Sequence, residues 1–280
     1  MSTLYIVPTP IGNLKDVSFR VLEILQEADR IACEDTRVTA KLLNRYEIKK
    51  PLLSYREHNE MEVSEEILRL VEAGETIALV SDAGMPGISD PGEVIIKKAV
   101  ERGITFNVLP GPSALMNALV ASGLSTRRFT YLGFLDKTRK KKREELEEFV
   151  GREETLILYE APHRILDTLE AVREVFGERQ ICLSRELTKL YEEHLRGTVS
   201  EVLQHYEEKT PKGEFVLVIA GKTKEEKQKE RQDQFAHLTI HEHLLQYIEE
   251  GYSKKDAVKR VAEERSLPKK EVYKESLNLS

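Results

Sequence analysis

Two successive α/β layers followed by a small helical extension are the fold class this sequence predicts, on three observations. Short apolar runs alternate with amphipathic helical stretches through the first 122 residues, a pattern that implies a largely parallel sheet covered by helices on both faces. A second series of such runs, spaced for a mixed α/β layer, continues to about residue 222. Beyond it the chain reads Lys-Thr-Lys-Glu-Glu-Lys-Gln-Lys-Glu-Arg-Gln and then takes up helical periodicity. The expected divisions are therefore 1–122, 123–222 and 223–280.

In the first layer the strands expected are Leu4–Val7, Ile31–Cys33, Thr76–Val80 and Phe106–Leu109. Helices are expected at Ser18–Glu27, Thr36–Tyr46, Glu60–Ala73, Pro91–Arg102 and Ser113–Ser122, with Asp90 as N-cap and Pro91 as first helical residue of the fourth. In the second layer the strands expected are Phe129–Phe134, Leu156–Tyr159, Ile181–Ser184 and Phe215–Ala220, with helices at Pro162–Phe176 and Val199–Glu207. Thr198-Val199-Ser200-Glu201 is a capping box. The tail repeats apolar residues at helical spacing: Leu244, Leu245, Tyr247 and Ile248, then Ala257, Val258, Val261 and Ala262, then Val272 and Tyr273.

At 280 residues, 40% hydrophobic and 33% charged, the chain is long enough for two cores. No window approaches the ~20 apolar residues of a membrane span, and a strand stands where a signal peptide would, so a cytoplasmic protein without membrane contact is expected. Cys33 and Cys182 both lie in apolar runs and read as buried free thiols. The seven histidines show no zinc spacing, so no metal is expected. Net charge is −6, yet Arg127–Arg143 carries a local +7. Such a segment on an acidic body suggests a localised polyanion contact; the bland alternative is a solvated helix start. Basic residues at a helix N-terminus oppose the macrodipole, which favours a functional reason.

The most informative stretch runs from Leu79 to Gly92. After an apolar strand, Ser81-Asp82-Ala83-Gly84-Met85-Pro86-Gly87-Ile88-Ser89-Asp90-Pro91-Gly92 packs three glycines, two prolines and two aspartates into one loop. Glycine removes the Cβ, so a ligand reaches bare backbone there. Four more segments follow strands: Thr9-Pro10-Ile11-Gly12-Asn13-Leu14, Glu34-Asp35-Thr36-Arg37, Pro110-Gly111-Pro112-Ser113-Ala114 and Tyr159-Glu160-Ala161-Pro162-His163-Arg164. Carboxyl ends of strands are where open α/β sheets collect their ligand-binding residues.

In this order the five segments closely resemble the tetrapyrrole-methylase superfamily (class III methyltransferases), and within it the ribosomal RNA small-subunit methyltransferase I family. The resemblance spans about residues 3–222, and the tail is similar to that family's C-terminal extension. It implies a two-domain tetrapyrrole-methylase-like fold holding S-adenosylmethionine between the domains, a homodimer, and 2′-O-methylation of a cytidine ribose in the decoding region of 16S ribosomal RNA, naked or assembled. By motif position it implies cofactor contacts at Pro10, Asp82, Ala83, Gly84, Met85, Ser113 and Ala114. The second domain would add Tyr159, Glu160, Ala161, Phe215 and Val216.

Methyl transfer from a sulfonium is an in-line displacement that relies on orientation. The positive charge is lost in the step, so backbone carbonyls and short polar groups suit the site better than a tight ion pair. A ribose hydroxyl is a weak acid, so its attack calls for a general base or an electrostatic helper, and a mechanism without a dedicated base stays open. Glu34, Asp35, His58, Glu160 and His163 are the candidates, with Asp35 and Arg37 placed on the substrate side. Arg127, Arg128, Lys137, Arg139, Lys140, Lys141, Lys142, Arg143, Arg164, Arg185 and Lys189 are the candidate RNA-phosphate contacts. Tyr55, Tyr131 and Tyr159 are candidates for stacking on a base. Two alternatives stay open: a tetrapyrrole carbon methylase, and a non-catalytic RNA- or ribosome-binding protein on the same fold.

Overall fold

The computed structural model describes residues 3–207, 209–235 and 237–277. Its first sheet contains β1 (Leu4–Val7), β2 (Arg30–Cys33), β3 (Leu52–Ser54), β4 (Ile77–Val80) and β5 (Phe106–Val108), in the order β3-β2-β4-β1-β5 and parallel throughout. Strand alternation decides which core each residue enters. Ile31, Cys33, Ala78 and Val80 pack with Val21 and Leu25 of α1 (Phe19–Glu27) and with Leu42 and Leu43 of α2 (Thr36–Arg45). Ala32, Ile77 and Leu79 face the opposite way, against Ile67 and Leu68 of α3 (Glu60–Glu72) and Ile95 and Ala99 of α4 (Glu93–Arg102).

The second sheet is mixed, as its spacing predicts. It holds β6 (Phe129–Gly133), β7 (Thr155–Glu160), β8 (Gln180–Arg185), β9 (Glu193–Thr198) and β10 (Phe215–Ile219), in the order β6-β7-β10-β8-β9. Only β6 and β7 run parallel. Leu156, Leu158, Leu183, Phe215 and Leu217 look toward a core shared with α7 (Ile165–Phe176) and α8 (Val199–His205), which also takes Leu146 of α6 (Arg139–Glu147). Ile157, Cys182, Val216 and Val218 look the other way, toward Ala118 and Leu119 of α5 (Ala114–Ser122). Although α5 follows the first sheet in sequence, it lies on the second. Arg196 ties its end down, donating to the Ala121 carbonyl.

Both sheets belong to one compact unit, which runs through Phe149 and resumes at Glu154–Ala220; Val150–Glu153 groups with the chain from Gly221 onward. That second unit contains α9 (Lys224–Gln234), α10 (Ile240–Glu249), α11 (Lys254–Glu264) and α12 (Lys269–Ser276). Its core joins Leu244, Ala257, Val261 and Val272. Buried Arg265 donates to the carbonyls of Leu238 and Thr239 and to His243 Nδ1.

Several expected boundaries shift. The fourth helix begins at Glu93, not Pro91, and Asp90 is not its cap. Gly92 takes that place at φ +148°, its N–H donating to Glu60 Oε1 (2.7 Å). A Cβ on Gly92 would lie 2.8 Å from the Gly87 nitrogen, so the loop doubles back on itself before the helix can start. The third helix of the second sheet's cover, α7, starts at Ile165 because the turn through Pro162 and His163 precedes it. Strands β3 and β9 were not anticipated: one is three residues long, the other an edge strand of polar residues. The capping box stands as read, with Thr198 N–H donating to Glu201 Oε2 (2.7 Å) and Glu201 N–H to Thr198 Oγ1 (3.3 Å). Cys33 and Cys182 are buried and free. Among the described residues no helix is long and apolar enough to cross a membrane.

Candidate active site

Chain order and strand order disagree around β1: it lies between β4 and β5, while the chain leaves it toward β2. Such a switch opens a crevice at the carboxyl ends of the strands. Three loops meet there. The loop after β1 is stitched to the loop after β4 by a two-way backbone bridge, Thr9 N–H to the Gly84 carbonyl (2.8 Å) and Gly84 N–H to the Thr9 carbonyl (3.0 Å). Thr9 Oγ1 donates to the Ser81 carbonyl (3.0 Å) and Ser81 Oγ to the Gly84 carbonyl (2.8 Å). Gly84 holds φ +86°, and a Cβ there would stand 3.5 Å from Ile11 and 3.9 Å from the Pro112 carbonyl. The third loop, before α5, approaches so closely that a Cβ on Gly111 would overlap the Pro8 ring.

The second sheet reaches the same place. A Cβ on Gly12 would meet Lys189 Cγ, the Leu187 carbonyl and Thr188 Oγ1 at 2.6–2.7 Å, and Asn13 N–H donates to Thr188 Oγ1 (3.0 Å). Tyr159 Oη accepts from Leu115 N–H in the first turn of α5 (3.0 Å), and its ring meets Tyr131 edge-on. Tyr131 Oη shares a 2.6 Å hydrogen bond with Ser89 Oγ, a residue held at φ +57°.

The carboxylates of the crevice differ sharply. Asp35 caps α2 through Arg37 N–H (2.8 Å) and also grips the Arg37 guanidinium with both oxygens. The Arg37 hydrogen bonds hold its carboxyl well below the ordinary range. Asp82 accepts from Asp35 N–H (3.1 Å) and has no ion pair among the described residues. Burial, then the Asp35 charge, raise it. Glu34 is raised by burial and by Asp82; Arg56 bonds only its backbone carbonyl (3.1 Å). Asp90 is pushed up to about 7, first by burial and then by Glu34, Asp82 and Glu214. His58 sits exposed in a short turn at Glu57–Asn59, without a hydrogen bond to the crevice.

Not every expected residue points inward. Glu160 alternates with Tyr159 along β7, so its carboxylate enters the far core. There it accepts from Ala161 N–H (2.9 Å) and Thr168 Oγ1 (2.6 Å) and lies 3.2 Å from Arg164 Nε and 3.8 Å from Lys142 Nζ. Phe215 likewise packs away from α5, against Tyr206, whereas Val216 faces α5. Lys142 and Arg164, read as phosphate contacts, instead hold this network: Lys142 Nζ donates to Thr168 Oγ1 (2.7 Å), and Arg164 donates to the carbonyls of Leu135 and Asp136.

Most of the remaining basic run is paired too. Arg139 and Arg143 reach Glu174, Lys140 reaches Glu144, Lys141 reaches Asp136, Arg185 bonds Glu193 (2.6 Å), and Lys189 lies between Glu186 and Glu214. Arg127, Arg128 and Lys137 are exposed and have no ion pair among the described residues. Tyr55 is buried, its hydroxyl on Ser64 (3.0 Å) and pushed up to about 12 by burial. Thr9 and Ser81 are site residues whose only sequence signal was membership of the quoted loops, and Asp90 is one that the sequence marked only as a helix cap.

Fold and site together define an α/β class with two layers and a crevice at the strand ends. Uroporphyrin-III-C-methyltransferase from Thermus thermophilus shares that fold, with a TM-score of 0.56 and 20% identity over 78% of this chain and 94% of that one. The chain belongs to the family described as Tetrapyrrole (Corrin/Porphyrin) Methylases, whose profile matches residues 3–203, and within it to the group of ribosomal RNA small-subunit methyltransferase I. The protein of that name from Bacillus subtilis (strain 168) is 48% identical over 98% of this chain and 93% of its own length. The one from Thermotoga maritima is 45% identical over 79% of this chain and all of its own length, so about a fifth of this chain has no counterpart there.

The protein is therefore an S-adenosylmethionine-dependent methyltransferase. Its crevice fits that cofactor: Gly84 leaves the loop without a Cβ, the first-turn N–H groups at Ser113–Ala114 suit a carboxylate, and Asp82, with one oxygen on the Asp35 N–H, and Glu34 have carboxylate oxygens left for hydroxyl or ammonium donors. The bound cofactor supplies the electrophilic methyl group.

Proposed function

We propose that this methyltransferase modifies the ribose 2′-hydroxyl of a cytidine in the decoding region of 16S ribosomal RNA, working in the cytoplasm as a homodimer on naked RNA or the assembled subunit. The observation that carries this reading is the 48% identity, over nearly the whole chain, to a protein named ribosomal RNA small subunit methyltransferase I. The site's chemistry supports it. The Thr9–Gly84 bridge and the Ser81 and Thr9 hydroxyls hold the loops rigid, which is what orienting an in-line displacement requires. Asp35, locked on Arg37, is a poor base, and that pair is a positioning element for the polar rim. The unpaired Arg127, Arg128 and Lys137 are the groups free to meet phosphates. Val108 on β5 and Met116 and Val120 on α5 are exposed apolar side chains available to a second copy.

The test supplies tritiated S-adenosylmethionine with naked 16S RNA, assembled small subunits or a tetrapyrrole, and maps the product by mass spectrometry. A 2′-O-methylcytidine in either RNA substrate supports the reading. Label on a tetrapyrrole carbon alone replaces it with the carbon-methylase alternative, and sedimentation as a monomer at micromolar concentration removes the dimer.

A further inference from the structure

The Ser81–Gly92 loop carries a second aspartate besides Asp82, near its far end. Asp90 closes the loop between β4 and α4, and its backbone is held on both sides. Before it, Ser89 is pinned at φ +57° by its hydrogen bond to Tyr131. After it, Pro91 accepts from Gly87 N–H (3.2 Å), and Gly92 bonds Glu60. The side chain is partly buried and makes no hydrogen bond and no ion pair among the described residues. Its loop touches the second sheet next to it, Ser89 Oγ reaching Tyr131 of β6 and lying 3.7 Å from where a Cβ on Gly133 would stand, and the charges of Glu34, Asp82 and Glu214 act on Asp90 across the crevice. The charges of Arg37 and Arg56 lower Asp35, Asp82 or Glu34, while no cation is among the groups that shift Asp90. Asp35 and Glu160, by contrast, already have their oxygens engaged.

We propose that Asp90, a fixed and unpartnered carboxylate between the two sheets, is the general base of methyl transfer, taking the proton of the attacking ribose hydroxyl. The inference rests on the hydroxyl acceptor proposed above. In the step, the O–H proton passes to Asp90 while the oxygen's electron pair closes on the methyl carbon. The displaced sulfur keeps the bonding pair as a neutral thioether, and Asp90 then returns its proton to water. A carboxyl titrating about 7 is matched to that task near neutral pH.

The experiment compares wild type with Asp90→Asn, Asp90→Glu and Glu34→Gln. It measures single-turnover methylation of the RNA between about pH 5 and 9, S-adenosylmethionine affinity by calorimetry, and aspartate carboxyl titration of the free protein by 13C NMR. The expected Asp90→Asn enzyme loses about 10²–10⁴-fold in rate, loses the acidic limb of the profile, keeps cofactor affinity within about threefold, and lacks one carboxyl resonance titrating near neutrality. Asp90→Glu is expected to restore part of the rate together with the limb, and Glu34→Gln to retain the limb. An Asp90→Asn rate close to wild type overturns the proposal, as does a parallel loss of cofactor affinity, which would make Asp90 a binding group. Wild-type protein that methylates no RNA hydroxyl overturns the functional reading and this inference together.

Discussion

The two sheets place the same residue types at their strand ends and use them in opposite ways. After β2 and β4 the first sheet leaves Glu34, Asp82 and Asp90 without cationic partners, and burial with mutual repulsion raises all three. After β7 the second sheet buries Glu160 completely, yet surrounds it with Lys142, Arg164, Thr168 and the Ala161 amide. The difference separates chemistry from scaffold. An unpaired, partly buried carboxylate is costly to maintain and is left for a ligand or a proton, whereas a saturated one organises a core.

The largest expected effect probes the scaffold side. Glu160→Ala strands the Lys142 ammonium in the core, and urea denaturation is expected to show a loss of about 3–5 kcal/mol. Replacing both partners, Lys142→Met with Glu160→Gln, is expected to recover most of it; a single Glu160→Ala within 1 kcal/mol of wild type would contradict the assignment.

Next comes the contact between the sheets. Gly12→Ala places a Cβ against the Leu187 carbonyl and Thr188 Oγ1, which cannot both retreat. A loss of about 1–3 kcal/mol, accompanied by weaker S-adenosylmethionine binding in calorimetry, is the expected outcome. Unchanged affinity would show that the β8–β9 loop does not set the geometry of the crevice.

A third contrast lies within the basic residues. The triple variant Arg127→Ala, Arg128→Ala, Lys137→Ala is expected to reduce the slope of log affinity for RNA against log salt by about 2, since single-stranded contacts contribute ~0.7 each. Lys141→Ala, whose ammonium already faces Asp136, is expected to change the slope little. Equal effects from both variants would erase the distinction between paired and unpaired cations.

The smallest effect separates the carboxylates by pH. Asp35, lowered by Arg37, contributes stability that is present above its unfolded value of about 3.9 and fades as pH falls. Asp90 has the opposite sign. Its folded value of about 7 lies above the unfolded one, so between about pH 4 and 7 the folded protein holds a proton that the unfolded chain has lost, and stability falls as pH rises. Asp90→Asn is therefore expected to raise Tm by a few degrees at pH 8 and to approach wild type only below about pH 4; the reverse ordering would sink the raised value.

Period and spacing carried most of the elements. Leu4–Val7 emerged as expected, and the other strands of the parallel sheet read in advance lie within one residue of their expected ends. The short β3 escaped because three residues behind Pro51 carry no alternation, and β9 because its partner β8, not its own hydrophobicity, makes it a strand. The loops after β1, β4 and β5 were legible as three of the five ordered motifs, the other two following β2 and β7. The fate of individual charges was not: Lys142 and Lys137 are five residues apart in one basic run, yet one is buried on Thr168 and the other is exposed.

By itself, then, the chain determined its layers, its Gly-rich strand-end loops and its family, because these depend on local periodicity and on residue types that only tight turns tolerate. Which carboxylate stays unpaired, which lysine is consumed by the core, and that α5 covers the second sheet were decided by tertiary structure alone. Pairing and burial depend on partners far along the chain, 18 residues for Glu160 with Lys142 and 176 for Gly12 with Thr188, and no local pattern encodes those contacts.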